Sequence, residues 1–452
     1  MKDRLRVVFK LGLLFGFFPI VVQGQGGETR QEVLDRMQPY TGEHHAGVDV
    51  TTLKGKVMCG YQGWFSAKGD GSGRGWVHYG TGHRGHNGHK VFEPGHCTID
   101  LWPDVRELAA DEKFATRFHH PNGDTAYVFS SYKRNTVLRH FKWMKEYKID
   151  GVFLQRFGSA LRQAKSLHHR NVVTANVQAG ANLHGRSWAM MYDLSGLQPG
   201  EIDKLVIEDW KQLIDRMKIT GDKSYQRHKG KPVVAVWGVG FSDDRKYTLS
   251  ECEKLVNFLK TDKRYGGNAV MLGVPTHWRN LSRDSVQDEK LHRILSQADI
   301  VSPWTVGRYR TPQQAKLHAE SMVRPDIDWV KKNRLDYLPV VFPGFSWQNL
   351  QKARGRGAKL DQIPRLGGQF LWSQARSFKQ AGAEMLYVAM FDEIDEGTAI
   401  FKCSNKPPQG ESRFLTYQGF PSDHYLWLTG KVGSLLRNEI PATEQVPPRN
   451  GR

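Results

Sequence analysis

From about residue 50 onward, uninterrupted apolar runs alternate with stretches whose apolar positions recur every three or four residues. The runs are "KVMCGYQGWF" (56–65), "DGVFLQRFG" (150–158), "SWAMMYDLSG" (187–196), "KPVVAVWGVG" (231–240), "NAVMLGVPTHW" (268–278), "DIVSPWTVG" (299–307), "LPVVFPGFSW" (338–347) and "AEMLYVAMF" (383–391). Short runs of this kind suit strands covered on both faces, as in a parallel sheet. Helical spacing fills the intervals. Val137, Phe141, Met144 and Tyr147 mark a helix over 135–149; Val206, Trp210, Leu213 and Met217 mark another after Pro199. Further helical patterns cover 249–260, 288–297, a stretch after the sixth run that Pro325 divides, 363–381 and a closing 424–438. Eight apolar strands with helical connections predict an α/β chain folded as a (β/α)8 TIM barrel. An open doubly wound sheet is the runner-up, but neither GxGxxG nor GxxxxGK[ST] follows any strand.

One segment breaks the rhythm. Residues 66–136, between the first strand and its helix, contain "AKGDGSGRGWVHYGTGHRGHNGHKVFEPGHC", rich in glycine and histidine. A short strand in "TAYVFSS" (125–131) is expected to belong to this insertion and not to the barrel. On the barrel reading, the insertion lies over the C-terminal, functional face. Its histidines His78, His83, His86, His89 and His96 could gather a Zn²⁺ ion or supply hydrogen bonds above a site. Their spacing matches no common metal motif, and no metal is assigned.

The ends of the chain set its compartment. Lys2, Arg4, Arg6 and Lys10 precede an apolar stretch at 11–22, too short to span a bilayer comfortably, and "VQG" (22–24) offers a cleavage site. Residues 1–24 are therefore expected to be a signal peptide and the protein to be secreted or periplasmic. A polar lead-in follows over 25–49, then the barrel over 50–440, then a flexible tail over 441–452. No other segment is long and apolar enough for a membrane span. Four cysteines, Cys59, Cys97, Cys252 and Cys403, permit disulfides after export without fixing their pairing.

Composition changes the picture in two places. The formal charge of +19 could serve nucleic acid, an anionic surface or an acidic polysaccharide. No Lys/Arg block, zinc-finger spacing or aromatic-basic RNA signature is present, so no nucleic-acid partner is expected. The 13 tryptophans suit either a large aromatic core or sugar-stacking platforms. An oligo- or polysaccharide partner, anionic if the basic charge is used, follows from the second reading.

In a barrel, functional groups stand at the C-terminal ends of the strands. Those ends supply Tyr61 and Trp64, Gln155 and Arg156, Tyr192 and Asp193, Trp237, His277 and Trp278, Trp304, Phe345 and Trp347. These are the candidate substrate contacts. The eighth end supplies Asp392, Glu393, Asp395 and Glu396, four carboxylates within five residues. Glycoside hydrolysis uses two carboxyls in different protonation states, and crowding raises the affinity of one for its proton. Glu393 and Glu396, three apart, are the candidate catalytic pair, with Asp392 and Asp395 as loop ties bordering the substrate. The same four acids could instead cap a helix or hold Ca²⁺ or Mg²⁺, in which case a metal-dependent hydrolase or a non-catalytic carbohydrate-binding barrel would follow.

"FDEIDEGTAIFK" resembles the late motif of glycoside hydrolase family 99, the endo-α-1,2-mannosidases, in which Asn-Glu-Trp-His-Glu-Gly-Thr-Gln-Ile ends the last barrel strand. Glu393, Glu396, Gly397, Thr398 and Ile400 match; Asp392, Ile394, Asp395 and Ala399 differ. The resemblance is closer to the related secreted 71/99-like proteins, through "GYQGWF" and "IDGVFLQRF", and covers about residues 50–430. It implies a retaining mechanism without a protein nucleophile, metal or other cofactor. Glu393 would act as base on the substrate 2-hydroxyl, which closes on the anomeric carbon to a 1,2-anhydro sugar. Glu396 would protonate the departing oxygen and then activate water.

Overall fold

The computed structural model describes residues 28–82 and 90–449. The expected signal peptide, and His83, His86 and His89, lie outside the described residues.

Strand β1 (Val57–Tyr61) is buried at every position, as its apolar run requires. It pairs in parallel with β2 (Gly151–Phe157) on one side and with the last strand on the other. The order continues through β3 (Ser187–Asp193), β4 (Lys231–Trp237), β5 (Ala269–Val274) and β6 (Ile300–Pro303). Strand β7 is split. Asp336–Tyr337 pairs with β6, whereas Val340–Val341 pairs with β8 (Leu386–Val388). Pro339 stands at the break, and it lacks the N–H that a continuous ladder would use. The two halves between them close the sheet into the expected (β/α)8 barrel.

Alternation of side chains across each strand sorts the barrel into an inside and an outside. On β2, Phe153 stacks on Tyr387 inside, and Gln155 Nε2 donates to the Tyr387 hydroxyl at 2.9 Å. Gly60 of β1 makes room for this: a Cβ there would lie 2.1 Å from the Tyr387 hydroxyl. Arg156, next along β2, turns outward to Asp209.

The helices form the outer layer. After a short capped helix α1 (Arg30–Asp35) come α2 (Arg134–Glu146), α3 (Ala164–His184), α4 (Glu208–Met217), α5 (Leu249–Thr261) and α6 (Lys290–Leu295). Next are α7 (Pro312–His318), α8 (Arg324–Lys332), α9 (Gln348–Ala353), α10 (Gln369–Gln380) and α11 (His424–Leu436). The longest, α3, has no counterpart in the periodicity reading. It is buried around most of its circumference, polar residues such as Asn171, Thr174 and Gln178 included, so no polar stripe marks it. Pro325 does not divide its helix as expected. It falls at the start of α8, which α7 reaches through a widened turn over Ala319–Val323. The helical path is continuous there, and the widened turn just before Pro325 accommodates the missing N–H.

The expected insertion is present as such. Phe114–His119 pairs antiparallel with Thr125–Val128, off the barrel, as expected for "TAYVFSS". Residues 441–449 are not a loose tail: Trp372 Nε1 donates to the Thr443 carbonyl, and Arg449 pairs with Asp423 at 2.9 Å. The four cysteines are buried and free. Among the described residues no helix is long and apolar enough to cross a membrane.

Candidate active site

Strand β8 stops at Val388, and the carboxylate segment that follows is a tight turn pinned from several sides. Asp392 accepts from the backbone N–H groups of Gln62 at 2.7 Å and Gly63 at 2.9 Å, which ties the turn to the end of β1. The Ile394 carbonyl accepts from the N–H groups of Asp100 and Leu101 in the insertion. Arg365 Nη2 donates to the carbonyls of Gly397 and Ala399, both at 2.7 Å. Gly397 has φ 59°, and a Cβ there would press on Ser346 at 3.0 Å, so glycine is needed for both conformation and clearance.

The glutamates are held differently. Both oxygens of Glu393 accept hydrogen bonds, Oε1 from Gln62 Nε2 and Oε2 from Thr398 Oγ1, each at 2.8 Å. The Glu396 carboxyl has no such partner among the described residues; its backbone carbonyl accepts from Ser346 N–H. Glu393 is buried and Glu396 is partly open. Asp395 lies 3.1 Å from Nδ1 of His78, a residue of the insertion held at φ 63°. His78 in turn stacks on Trp64 with ring centroids 3.7 Å apart. A histidine thus reaches the motif from the insertion, although Asp395 replaces the one the family motif carries.

Burial, with too little compensating charge, governs the protonation of this cluster. It pushes Asp392 and Asp395 up to about 7. Burial first, then repulsion by Asp395, pushes Glu396 up to about 7. Burial and the charge of Glu396 raise Glu393 well above the ordinary carboxylate range. His78 goes the other way: burial and the nearby Lys90, Arg170, Arg74 and Arg354 keep it neutral. Glu393, Asp395 and Glu396 therefore titrate together, while Asp392 is raised mainly by its own burial. The bonds donated by Gln62 and Thr398 oppose the upward shift at Glu393 without cancelling it, whereas Glu396, more open and without such a bond, is the member whose proton can exchange.

Stability follows the same shift. Between an unfolded pKa of 4.5 and a folded value of about 7, the folded chain binds more protons at Glu396 than the unfolded one. Stability from this group therefore falls as pH rises through that window. Glu396→Gln removes the penalty. Its melting temperature should exceed wild type at pH 8, by the equivalent of ~1–3 kcal/mol, and match it near pH 4. A difference that does not vary with pH would contradict the shift.

The expected substrate contacts divide by strand parity. Gln155 and Asp193 belong to the inward set, with Asp193 accepting from Ser195 N–H at 2.7 Å. Trp64 packs beside Phe157, and Trp237 stands edge-on to Trp304 at 5.6 Å. Trp347 precedes α9 and packs on Phe345. His277 is paired with Asp284 at 2.7 Å and lines a separate cavity. Four expectations are corrected. Tyr61 is buried with its hydroxyl 2.8 Å from His140 Nδ1; Arg156 is buried against Asp209 at 2.6 Å; Tyr192 donates to the same Asp209; Trp278 is buried with Nε1 on Asp326. Tyr61, Arg156 and Tyr192 face the helices because a residue next to an inward one along a strand must point outward; Trp278 lies beyond β5, in a short turn, and packs edge-on against Trp329 of α8.

The strand-end reading missed Gln62 and Thr398, the two donors on Glu393. Gln62 lies one residue past β1, within "GYQGWF", and only its position in that motif singled it out. Arg170 of α3, which donates to the Gln62 carbonyl at 2.8 Å, had no signal at all. Among the described residues no three His, Cys, Asp or Glu side chains come together as a metal site would need.

Fold and site together define a closed (β/α)8 barrel whose C-terminal mouth carries a buried, proton-sharing carboxyl cluster. No family model and no curated protein matches the chain. Among solved structures it is similar to the GH99 endo-α-mannosidase of Bacteroides thetaiotaomicron, with 15% identity and a TM-score of 0.55 over 86% of this chain and 99% of that one. That mannosidase in complex with bis-tris-propane gives 14% and 0.59 over the same shares. A glycoside hydrolase-like protein gives 12% and 0.50 over 88% and 98%. At these identities the likeness establishes the fold, which is shared almost end to end.

Proposed function

We propose that the protein is an exported glycoside hydrolase that cleaves a glycan bearing a free 2-hydroxyl, with retention of configuration. The observation that carries this reading is the contrast between the two glutamates. Glu393 is fixed by Gln62 and Thr398 as a hydrogen-bond acceptor, while Glu396 beside it is free to exchange a proton. Glu393 removes the proton of the 2-hydroxyl, and that oxygen attacks the anomeric carbon. Glu396 gives its proton to the departing glycosidic oxygen, then takes one from the water that opens the 1,2-anhydro sugar, while Glu393 returns its proton to the 2-oxygen as the C1–O2 bond breaks. Trp237 and Trp304, both partly exposed, supply aromatic surface for the sugar rings, while Trp64, covered by His78 and Phe157, backs the site. The resemblance in the motif and the shared fold favour an α-mannoside or a related glycan.

The test is release of reducing ends from a panel of α-mannans and other plant, fungal and algal glycans. Cleavage with an initial product of retained configuration supports the reading. Binding of a glycan without any turnover would replace it with a carbohydrate-binding barrel. Gln62→Leu should lower kcat by roughly 10- to 100-fold, the worth of one hydrogen bond to a charged group, and leave KM nearly unchanged. Unaltered kcat would remove Gln62 from the machinery.

A further inference from the structure

Beyond the carboxyl cluster, the same end of the barrel carries a cavity of about 1000 Å³ between the segments that follow β5 and β6. Its lining includes His277, Arg283, Asp284, Arg308 and Arg310. Asp284 is the one carboxylate among the described lining residues, and it is already engaged. It accepts from His277 Nδ1 and pairs with Arg308 Nη2, each at 2.7 Å, and it accepts backbone N–H groups from Thr276 and His277. Arg283 and Arg310 are both exposed and have no acidic partner among the described residues. Arg283 Nη1 lies 3.3 Å from His277 Nε2, and the Arg310 backbone N–H, not its guanidinium, is satisfied by Gln314. The walls are thus fixed by one ion-pair network, while two guanidinium groups remain with unmet hydrogen-bonding capacity. Guanidinium groups match the planar or tetrahedral oxygens of carboxylate and sulfate.

The cavity also adjoins the proposed sugar site. Thr276 Oγ1 donates to the Trp304 carbonyl at 2.5 Å, and the Trp304 ring stands edge-on to Trp237 and Tyr387 within the barrel. A volume of this size exceeds what a lone inorganic ion occupies and suits a sugar residue with its substituent.

We propose that this cavity is a subsite for an anionic sugar, one carrying a sulfate ester or a carboxylate, in the same glycan chain that the barrel cleaves. The assignment rests on the hydrolase reading for the chain's course and adds the substrate class. The experiment is calorimetric titration of the full-length Glu393→Gln protein with size-matched neutral, sulfated and uronate oligosaccharides, at low and high salt. The expected result is tighter binding of one anionic set, weakened by salt. In the added background of Arg283→Gln with Arg310→Gln, that binding should fall about tenfold or more, with neutral oligosaccharides unaffected. Both arginines are exposed, so circular dichroism and melting temperature should stay those of the parent. The comparison of sulfated with uronate sugars identifies which oxyanion is bound.

Equal binding of neutral and anionic oligosaccharides, or no effect of the double arginine change, overturns the subsite. Inorganic sulfate competing as well as the sulfated sugar also overturns it, since the sugar would then contribute nothing. The two readings fail separately. Anion-dependent binding by a wild-type protein that never cleaves its ligand supports the subsite and refutes the hydrolase. Cleavage of neutral glycans without anion preference does the reverse.

Discussion

Glu393→Gln and Glu396→Gln should each lower kcat by about 10²–10⁴-fold, the usual contribution of a positioned acid or base, in proteins that remain folded. Both changes keep side-chain shape and remove a charge that burial disfavours. The two losses should differ in character. An aryl glycoside with an acidic phenol leaves without help, so its first step should be nearly restored in Glu396→Gln. No such substrate should rescue Glu393→Gln, because the 2-hydroxyl still needs its proton removed. The separation depends on the observed contrast: Glu393 gripped by Gln62 and Thr398, Glu396 unbonded. Wild-type turnover in either folded variant would end the assignment of that residue.

The second large effect concerns stability. Arg156→Met should destabilise the fold by about 3–5 kcal/mol, the cost of leaving a buried charge without its partner. Arg156 and Asp209 are both 1% exposed and joined by two bonds of 2.6 Å, and Tyr192 donates to the same carboxylate. Removing the guanidinium strands Asp209 between barrel and α4, where water cannot replace it. Chemical denaturation should show the loss, while KM for any cleaved glycan stays near wild type at a temperature where the variant is folded. A raised KM with unchanged stability would return Arg156 to the substrate side, where its place at a strand end had first put it.

That contrast shows where the sequence could be read and where it could not. Buried parallel strands are apolar on both faces, so the eight runs were legible without knowing their partners. The seventh was placed but not its break at Pro339, because which neighbour each half would bond is a property of barrel closure. Helices α2 and α5 could be found from one apolar stripe each. Helix α3 could not, because burial on nearly all sides removes the stripe that would reveal it.

For the site, the sequence alone determined that four carboxyls end the last strand, since neighbours along a chain stay neighbours in the fold. It also held the information that Gln155 and Arg156 cannot both face the axis, through the two-residue repeat of a strand. Only the tertiary structure decided which face was inward. It likewise brought Gln62 to Glu393 across 331 positions and His78 to Asp395 across 317. Those contacts give two glutamates of the same chemistry different partners, one fixed by donors and one free. Chain spacing can crowd charges together, but the donors and burial that divide their protons come from parts of the chain that only folding makes adjacent.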